Sequence, residues 1–479
     1  MQPKKPAVPA ISDEEMPINT RRKLITGVGA GGLVAAGLMG SRDAGATTTF
    51  TSDSSNEFLW QTASAAPLLK LDSSGISRPT GASGAWELFA VNVKDFGAKG
   101  DGVHDDTSQI QNALNSSYEL IYFPAGRYLV TGAAGSPGNA LFSRTGKTLI
   151  LKGDGPQATQ IIWNPAPNTF TPSDNFLYWS TTNSSDTVYD RLEVRDLTIR
   201  AAQDLGTAIY ATKAANPPRV RQQVLIDNVE ITGTGPGPGT GPTPYDPFYA
   251  FTRGIYLEGL ENSRIRSVCM ECDWATGSVG IQVTALSGYK VTAMQIQQVT
   301  IYNFETGVLF GGLEEGLMVS DSVISGCKYC VRAQMSQEGL PGIHVSGCHL
   351  NSYYTAVDVG NASQAIITDN LIYLMGGGET YYFGVDTGSG TTAFEKDVLV
   401  RGNIIMELSG RSGLSGTFGV FVRGSTANES VLISDNQMVG FAYGVLLQSG
   451  TSGGFVSHSN RYRGCATNIS DSGSNTIQV

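Results

Sequence analysis

The amino-acid sequence predicts an all-β protein, specifically a single-stranded, right-handed parallel β-helix (a solenoid) with an N-terminal capping helix. Composition is the first reason: 59 glycines among 479 residues and only 15% charged residues favour many short strands joined by tight turns over long helices. The second reason is an apolar pattern that recurs at intervals of about 22 to 39 residues, because repeats of that length are typical of stacked coils.

Residues 1–46 have the features of a twin-arginine export signal. Arg21 and Arg22 precede an uncharged run over residues 24–40, and a small-residue Ala-Gly-Ala cleavage site follows. A membrane anchor is the alternative, but the run is short and rich in glycine for a bilayer span. We therefore expect a mature chain that begins near Thr47, is periplasmic or secreted, and has no stable membrane span after signal removal.

The segment after the signal divides into an arm and a repeat domain. Residues 47–90 are rich in Ser, Thr, Gly and Ala and are interpreted as a linker or N-terminal arm, and residues 91–479 as the β-helix domain. Asp105 and Asp106 stand at the start of a helix whose apolar face is predicted to be Ile110, Ala113 and Leu114. Because carboxylates at a helix start accept unpaired N–H groups, we assign these two acids to capping rather than to catalysis.

The start of the repeat domain carries a motif that points to a family. Residues 91–114 read VNVKDFGAKGDGVHDDTSQIQNAL, and residues 121–130 read IYFPAGRYLV. These segments resemble the opening of pectate-lyase-superfamily proteins related to family 28 glycoside hydrolases, of the rhamnogalacturonase/epimerase-like kind. The resemblance implies a parallel β-helix capped by a helix. It does not fix the reaction, since the superfamily includes hydrolases, lyases, epimerases and phage tailspikes, and the paired-Asp, Gly-His-Gly and Arg-Ile-Lys motifs of true polygalacturonases are not seen.

Two apolar columns define the predicted coils. The first strand of each coil contributes one inward residue to a column: Ile199, Ile231, Met270, Ile301, Ile324, Leu350, Ile372, Ile405, Met438 and Tyr462. The second strand contributes another column: Ile255, Ile281, Val308, Val331, Val357, Val385, Val420 and Val445. Alternation within a coil and regular recurrence between coils imply parallel pairing with the next coil. Four asparagines at one coil position are expected to form a stacked amide ladder: Asn370, Asn403, Asn436 and Asn460.

The outward column of the second strand gives the first candidate site. Residues that follow an inward position point to solvent, and on three consecutive coils these are Arg332, Asp358 and Asp386. Carboxylates on adjacent coils are about 5 Å apart by backbone spacing, so repulsion can raise one pKa and leave a proton donor beside an ionised partner. The alternative is that Arg332 and Asp358 form an ordinary surface ion pair.

Further candidates lie along the first strand and in turns. Glu271, Asp273 and Glu315 are additional acids that are candidates for catalysis. Aromatic, imidazole and guanidinium groups suited to binding sugars are provided by the substrate-binding candidates Arg332, Tyr302, His349, Tyr373 and Trp274. Exposed tyrosines on strands are also ordinary surface residues, which is the alternative interpretation.

The cysteines are not expected to hold a metal. Cys269 and Cys272, like Cys327 and Cys330, have the spacing of a zinc or redox pair. The coil centred on Val299 separates the two pairs by two coil spacings, about 10 Å, which is too far for one zinc ion or a disulfide. Buried thiols are the prediction, and neither a metal nor a cofactor is expected.

Taken with the resemblance, these features predict an exported carbohydrate-active enzyme that cleaves glycosidic bonds in a polysaccharide or oligosaccharide, with hydrolysis favoured over elimination. A polysaccharide lyase and a non-catalytic, glycan-binding or surface-structural β-helix are the alternatives. The formal net charge of -10 argues against a nucleic-acid partner. The resemblance leaves both a monomer and a homotrimer open.

Overall fold

The computed structural model describes short strands within residues 49–88 and the chain over residues 90–479, apart from residues 168, 182–189, 214–222, 234–248, 287–290, 313, 336–341, 377, 389–395, 409, 411–415, 425–428 and 475. The predicted signal peptide and the predicted mature start at Thr47 lie outside the described residues. In the part of the chain that is described, no helix is long and apolar enough to cross a membrane.

An antiparallel sheet precedes the β-helix. Its strands, numbered in chain order, are β1 (Thr49–Ser52), β2 (Phe58–Gln61), β3 (Pro67–Asp72), β4 (Gly75–Thr80) and β5 (Ala85–Leu88). This is regular structure that the Ser-rich and Gly-rich composition of residues 47–90 did not predict.

The capping helix α1 covers Thr107–Asn115 and follows a short 3-10 helix, Val93–Phe96. The Asp105 carboxylate accepts hydrogen bonds from the Thr107 and Thr131 backbone N–H groups at 3.0 and 3.1 Å. Asp106 is the N-cap residue, and its carboxylate instead accepts the Lys99 and Gly100 N–H groups at 2.6 and 3.0 Å. The predicted apolar helix residues are all buried: Ile110, Ala113 and Leu114. Asp105 thus caps the helix start as predicted, whereas the capping role predicted for the Asp106 side chain is wrong, because its carboxylate is used to hold the preceding turn.

Parallel strands then stack in coils that present three faces. Face 1 contains β6 (Ala90–Asn92), β8 (Leu120–Tyr122), β11 (Leu149–Lys152), β21 (Gln295–Gln297), β25 (Leu317–Ser320), β27 (Ile343–Ser346), β29 (Gln364–Thr368), β32 (Lys396–Arg401), β35 (Glu429–Ser434), β38 (Gly454–Val456) and β41 (Ile477–Gln478). Face 2 contains β7 (Asp101–Asp105), β9 (Gly126–Val130), β12 (Thr159–Trp163), β22 (Thr300–Tyr302), β30 (Leu371–Leu374), β33 (Ile404–Glu407), β36 (Gln437–Val439) and β39 (Arg461–Arg463).

Face 3 contains β10 (Ala140–Thr145), β13 (Asn175–Thr181), β15 (Leu205–Lys213), β17 (Phe251–Glu258), β19 (Val279–Thr284), β23 (Thr306–Gly312), β31 (Tyr382–Asp386), β34 (Thr417–Val422), β37 (Tyr443–Leu447) and β40 (Thr467–Asp471). Longer strands bend across faces 1 and 2, namely β14 (Leu192–Ala201), β16 (Val224–Gly233) and β18 (Arg264–Glu271), or across faces 2 and 3, namely β26 (Val323–Met335) and β28 (His349–Asp358). A separate two-residue pairing joins β20 (Val291–Thr292) to β24 (Glu314–Glu315).

The strand register confirms both predicted apolar columns. On face 2, for example, Met270 pairs with Ile301 and Leu350 with Ile372, and on face 3 Val357 pairs with Val385. The interior is a continuous apolar core in which the column residues are almost all fully buried. Burying each such side chain contributes about 1.5–3 kcal/mol. Face 1 is an addition to the predicted arrangement, which had two strands in a coil.

The amide ladder is also confirmed. The Asn370 Nδ2 group donates to Asn403 Oδ1 at 3.0 Å, Asn403 Nδ2 donates to Asn436 Oδ1 at 2.9 Å, and Asn436 Nδ2 donates to Asn460 Oδ1 at 3.1 Å. Each of the first three asparagines also donates its backbone N–H to the Oδ1 of the next. The ladder therefore locks successive coils together at one corner of the interior.

Candidate functional site

Face 3 brings the predicted acid pair together. Arg332 of β26 pairs with Asp358 of β28, which pairs with Asp386 of β31, so the three residues stand on consecutive coils in one outward column. Neighbouring strands are about 5 Å apart. The adjacency of the two carboxylates, predicted from the repeat, is thus a property of the fold.

A short sequence motif fixes each carboxylate. Both aspartates begin an Asp-x-Gly turn, in which the glycine N–H donates to the aspartate Oδ1: Gly360 to Asp358 at 3.0 Å and Gly388 to Asp386 at 2.9 Å. Both glycines have left-handed φ angles, 56° and 72°, which side chains disfavour. A Cβ atom at Gly388 would lie 1.9 Å from the Gly360 carbonyl oxygen, so the two turns touch directly.

An arginine holds each carboxylate from the solvent side. Arg332 Nε donates to Asp358 Oδ2 at 3.1 Å, and Arg423, just after β34, donates to both oxygens of Asp386 through Nε and Nη2 at 2.6 to 3.1 Å. The Asp386 side chain is 5% exposed and that of Asp358 is 17% exposed. Asp386 therefore has the more complete pairing, and Asp358 is the more accessible acid.

The two acids differ in their electrostatic surroundings. Burial, followed by the nearby Asp386 carboxylate, raises the pKa of Asp358, and the Arg332 guanidinium only partly offsets these effects. Asp386 instead accepts a bidentate, charge-assisted pair of hydrogen bonds from Arg423. Asp358 is therefore the acid of the pair whose affinity for a proton is increased by its surroundings.

The acids lie in a pocket of about 370 Å³, which tyrosines Tyr329 and Tyr354 also line. The Arg332 guanidinium lies 3.9 Å from the Tyr329 ring centroid, and the Tyr354 ring packs edge-on against Tyr329 at 5.3 Å. Burial raises the pKa of both phenols, so they remain protonated at neutral pH. The pocket wall therefore offers aromatic surface and hydroxyl donors.

The other three candidate acids lie elsewhere. Glu271 is outward on face 2 and pairs with Tyr302, Asp273 follows β18 at the bend before face 3, and Glu315 belongs to the separate β24 pairing. None of these three is among the described residues that line the pocket. The structure therefore brings Asp358 and Asp386 together and separates them from the remaining acids.

The predicted sugar-binding residues divide between two faces. Arg332 is in the pocket on face 3, whereas Tyr302, His349 and Tyr373 are on face 2, where the His349 and Tyr373 rings meet edge-on at 5.3 Å. Trp274 lies at the bend, 47% exposed, and its indole N–H donates to the Gly326 carbonyl two coils away at 2.8 Å. This hydrogen bond fixes the indole at the bend between faces 2 and 3, next to β26, the strand that also carries Arg332 of the pocket.

The cysteines follow the predicted register, with one correction. All six are free thiols, and Cys272, Cys327 and Cys330 are buried, but Cys269 is exposed because it is an outward residue of β18. Burial raises the pKa of Cys272 and of Cys327 to about 12. Within the described ranges, no group of three or more His, Cys, Asp or Glu side chains is arranged to hold a metal ion.

Three members of the site were not found from the sequence: Arg423, Tyr329 and Tyr354. Arg423 lies beyond the outward column and reaches back by one coil, which a column of aligned positions does not reveal. The repeated Asp-x-Gly at residues 358–360 and 386–388 was a usable signal, because the same turn on adjacent coils predicts the same carboxylate geometry.

Fold and site together define a parallel β-helix protein with an outward acidic pocket. The family model described as "Rhamnogalacturonase A/epimerase, pectate lyase-like" matches residues 90–332, just over half of the chain, and the protein belongs to this family. It is thus related to carbohydrate-active β-helix proteins.

Individual relatives match less extensively. Mannuronan C5-epimerase AlgE4 of Azotobacter vinelandii is 45% identical over 76 residues, which are 15% of this chain and 14% of that protein. The A-module of mannuronan C-5 epimerase AlgE6 from the same organism has a TM-score of 0.50 at 18% identity, covering 81% of this chain and 99% of that one. A tailspike protein mutant of E. coli bacteriophage HK620, in complex with a pentasaccharide, has a TM-score of 0.50 at 13% identity over 80% of this chain and 69% of that one. Both structural likenesses concern the fold.

Proposed function

We propose that this protein is an exported enzyme that hydrolyses glycosidic bonds in a polysaccharide, with Asp358 as the proton donor and Asp386 as its ionised partner. The observation that carries the proposal is the pair itself. Like charges on adjacent coils repel, and the fold keeps them together in a pocket with an arginine on each. Most glycoside hydrolases use two such carboxylic acids as their catalytic residues.

The roles follow from the differences between the two acids. Asp358, with its raised pKa, gives its proton to the glycosidic oxygen as the bond to the anomeric carbon breaks. The Asp386 carboxylate stabilises the positive charge that develops on the sugar ring. It then either activates a water molecule that attacks the ring, or attacks the ring itself to form a glycosyl ester, which water cleaves as Asp358 takes up the proton of that water. The coil spacing of about 5 Å is near the separation found in retaining enzymes, and the anomeric configuration of the first product decides between the two routes.

Hydrolysis is favoured over elimination by the state of the basic groups. A lyase needs a base for the sugar C–H and a cation for the uronate carboxylate. The pocket tyrosines have raised pKa values, which makes poor bases of them, and Arg332 and Arg423 are already paired with aspartates. The family and the epimerase relative make a polysaccharide the proposed substrate class.

A second candidate, glycan binding without cleavage, is favoured by one specific observation. Both carboxylates are bound by a glycine N–H and an arginine, and Asp386 is only 5% exposed. In that case the acids would maintain the turns, and the exposed Trp274 and Tyr302 would contact the sugar.

The test is a panel of neutral and acidic polysaccharides incubated with the mature protein and with the Asp358→Asn variant. We expect new reducing ends with one class of polymer, no unsaturated product by ultraviolet absorbance, and no activity from the variant. Unsaturated ends would replace hydrolysis by elimination. A changed sugar configuration in uncut polymer, seen by proton NMR, would replace it by epimerisation, and binding without any chemical change would support the second candidate.

Export is part of the proposal and has its own test. The Arg21→Lys, Arg22→Lys double variant is expected to stay in the cytoplasm, because the twin-arginine route reads the arginine pair. Cell fractionation measures this against the unchanged protein. Normal appearance of the double variant outside the cytoplasm would remove the twin-arginine proposal.

A further inference from the structure

Lys396 places a buried ammonium group at the turns that hold the acid pair. The residue is 4% exposed and is the first of strand β32. Its Nζ donates to the carbonyl oxygens of Gly360 at 2.9 Å and Gly388 at 3.2 Å, and also to that of Thr387. An ammonium has three donors, and these three carbonyls match them.

The carbonyls belong to the same two Asp-x-Gly turns whose N–H groups bind the carboxylates. Gly360 and Gly388 each donate an N–H to their aspartate and each accept from Lys396. The lysine therefore bridges two coils, joining the turn after Asp358 to the turn after Asp386. Removing a lysine ammonium from water costs free energy, and the three hydrogen bonds to the turn carbonyls offset that cost. The ammonium is therefore stable in this place only while both turns keep their positions.

We propose that Lys396 is a positioning residue that sets the distance and orientation of the Asp358 and Asp386 carboxylates by clamping the two turns. It contacts the turns and not the substrate. The inference rests on the proposed function for its catalytic consequence, but the geometric part stands independently. The charged groups around Asp358 are Arg332 from β26, Asp386 from β31 and Arg423 from the end of β34, and the Lys396 ammonium is held on the far side of the Gly360 peptide by its carbonyl oxygen.

The kinetic test compares Lys396→Met with Lys396→Arg and with Lys213→Met. Lys213 is a matched control, because it is equally buried at 4% and lies at the end of β15, six coils along the stack. We expect Lys396→Met to lower kcat at least about tenfold with KM within about twofold, and to displace the pH–rate profile. Lys396→Arg should recover part of kcat, and Lys213→Met should lower only the melting temperature.

A wild-type kcat and pH profile in Lys396→Met would overturn the proposal. So would equal effects of Lys396→Met and Lys213→Met on kcat, since these would mean a general loss of stability. If Lys396→Met does not fold, the Lys396→Arg variant decides the question. A crystal structure of Lys396→Arg in which the guanidinium no longer contacts the two turns, together with an unchanged kcat and pH profile, would overturn the clamp.

A second readout does not depend on activity. Carbon-13 NMR of labelled aspartate follows the Asp358 carboxyl, identified by its loss in Asp358→Asn. Removing the lysine charge should move the Asp358 titration midpoint upward, whereas Lys213→Met should leave it in place. An unmoved midpoint in Lys396→Met would refute the positioning role even if the enzyme is active. A moved midpoint in a protein that cleaves no glycan would support the clamp and reject the hydrolase.

Discussion

The asparagine ladder and the aspartate pair use the same device with opposite chemistry. Both place like side chains on neighbouring coils, the ladder inside the β-helix and the pair outside it. An amide is donor and acceptor, so each asparagine satisfies the next. A carboxylate only accepts when ionised, so each aspartate needs an arginine and a glycine N–H of its own. Stacking that satisfies every side chain in the interior thus brings like charges together on the surface, where other groups must balance them.

The largest effect is expected on the rate of glycan cleavage when one acid of the aspartate pair is replaced. Asp358→Asn and Asp386→Asn should each lower the rate of glycan cleavage at least about a hundredfold, because the amide keeps the shape but cannot give or balance a proton. Initial rates and a melting curve check this. Asp227→Asn is the matched control, since Asp227 and Arg266 also pair across neighbouring coils at 2.7 Å, on face 1. Comparable rate losses in all three variants would contradict a specific role for the pair.

The next largest effect is expected on stability when one asparagine of the ladder is replaced. Asn403→Ala should lower the free energy of unfolding by about 2–4 kcal/mol, because Asn370 loses its acceptor and the Ile367 carbonyl loses its donor. Urea denaturation measures it. Asn351→Ala is the comparison variant and should change the free energy by no more than about 0.5 kcal/mol, since the Asn351 amide oxygen has no hydrogen-bond partner among the residues that the structure describes. Equal costs would mean that the ladder adds nothing beyond packing.

A smaller effect is a dependence of stability on pH. The raised pKa of Asp358 means that the folded state binds its proton more tightly than the unfolded state. This contribution is fully present below the unfolded pKa of 3.8 and is lost as the pH rises through the folded pKa. Asp358→Asn removes the titration, so its melting temperature should gain on wild type by about 1–2 °C between acid and neutral pH. A melting temperature of Asp358→Asn that instead falls relative to wild type between acid and neutral pH would show that folding does not raise the pKa of Asp358.

The smallest effect concerns an exposed pair beside the ladder. Arg401 and Asp435 lie 3.2 Å apart with side chains 63% and 48% exposed. Arg401→Ala should leave the melting temperature unchanged within error, because solvent screens such pairs. A clear loss of stability would show that the outer edge of the ladder coils contributes more than its exposure suggests.

The repeat made much of this structure predictable. Side-chain alternation and coil spacing were enough to align Arg332, Asp358 and Asp386 and to find the Asn403 ladder, because parallel pairing ties sequence position to spatial column. Arg423 was missed since its long side chain reaches a neighbouring coil from outside the column.

Other features depend on contacts that a column does not contain. Lys396 begins a face 1 strand, and its ammonium reaches the turns that follow face 3, so no local pattern relates it to the acids. Cys269 is exposed because it occupies an outward position in β18. The prediction that it is buried relied on the general tendency of free cysteine and did not use this position. Conformation over residues 49–88 is set by antiparallel pairing of short strands, for which the composition gave no period.

Coil length varies along the asparagine ladder while the alignment of the ladder residues does not. Asn403 and Asn436 are 33 residues apart in the sequence, and Asn436 and Asn460 are 24 apart. The hydrogen bonds between their side-chain amides nevertheless differ in length by only 0.2 Å, 2.9 against 3.1 Å. Most of the extra residues of the longer coil come between the end of β33 at Glu407 and the start of β34 at Thr417, outside the strands. For a lineage of such proteins, this separates inheritance of the scaffold from change in what it recognises: corner segments can lengthen, shorten or be exchanged between descendants without refolding the shaft that carries them.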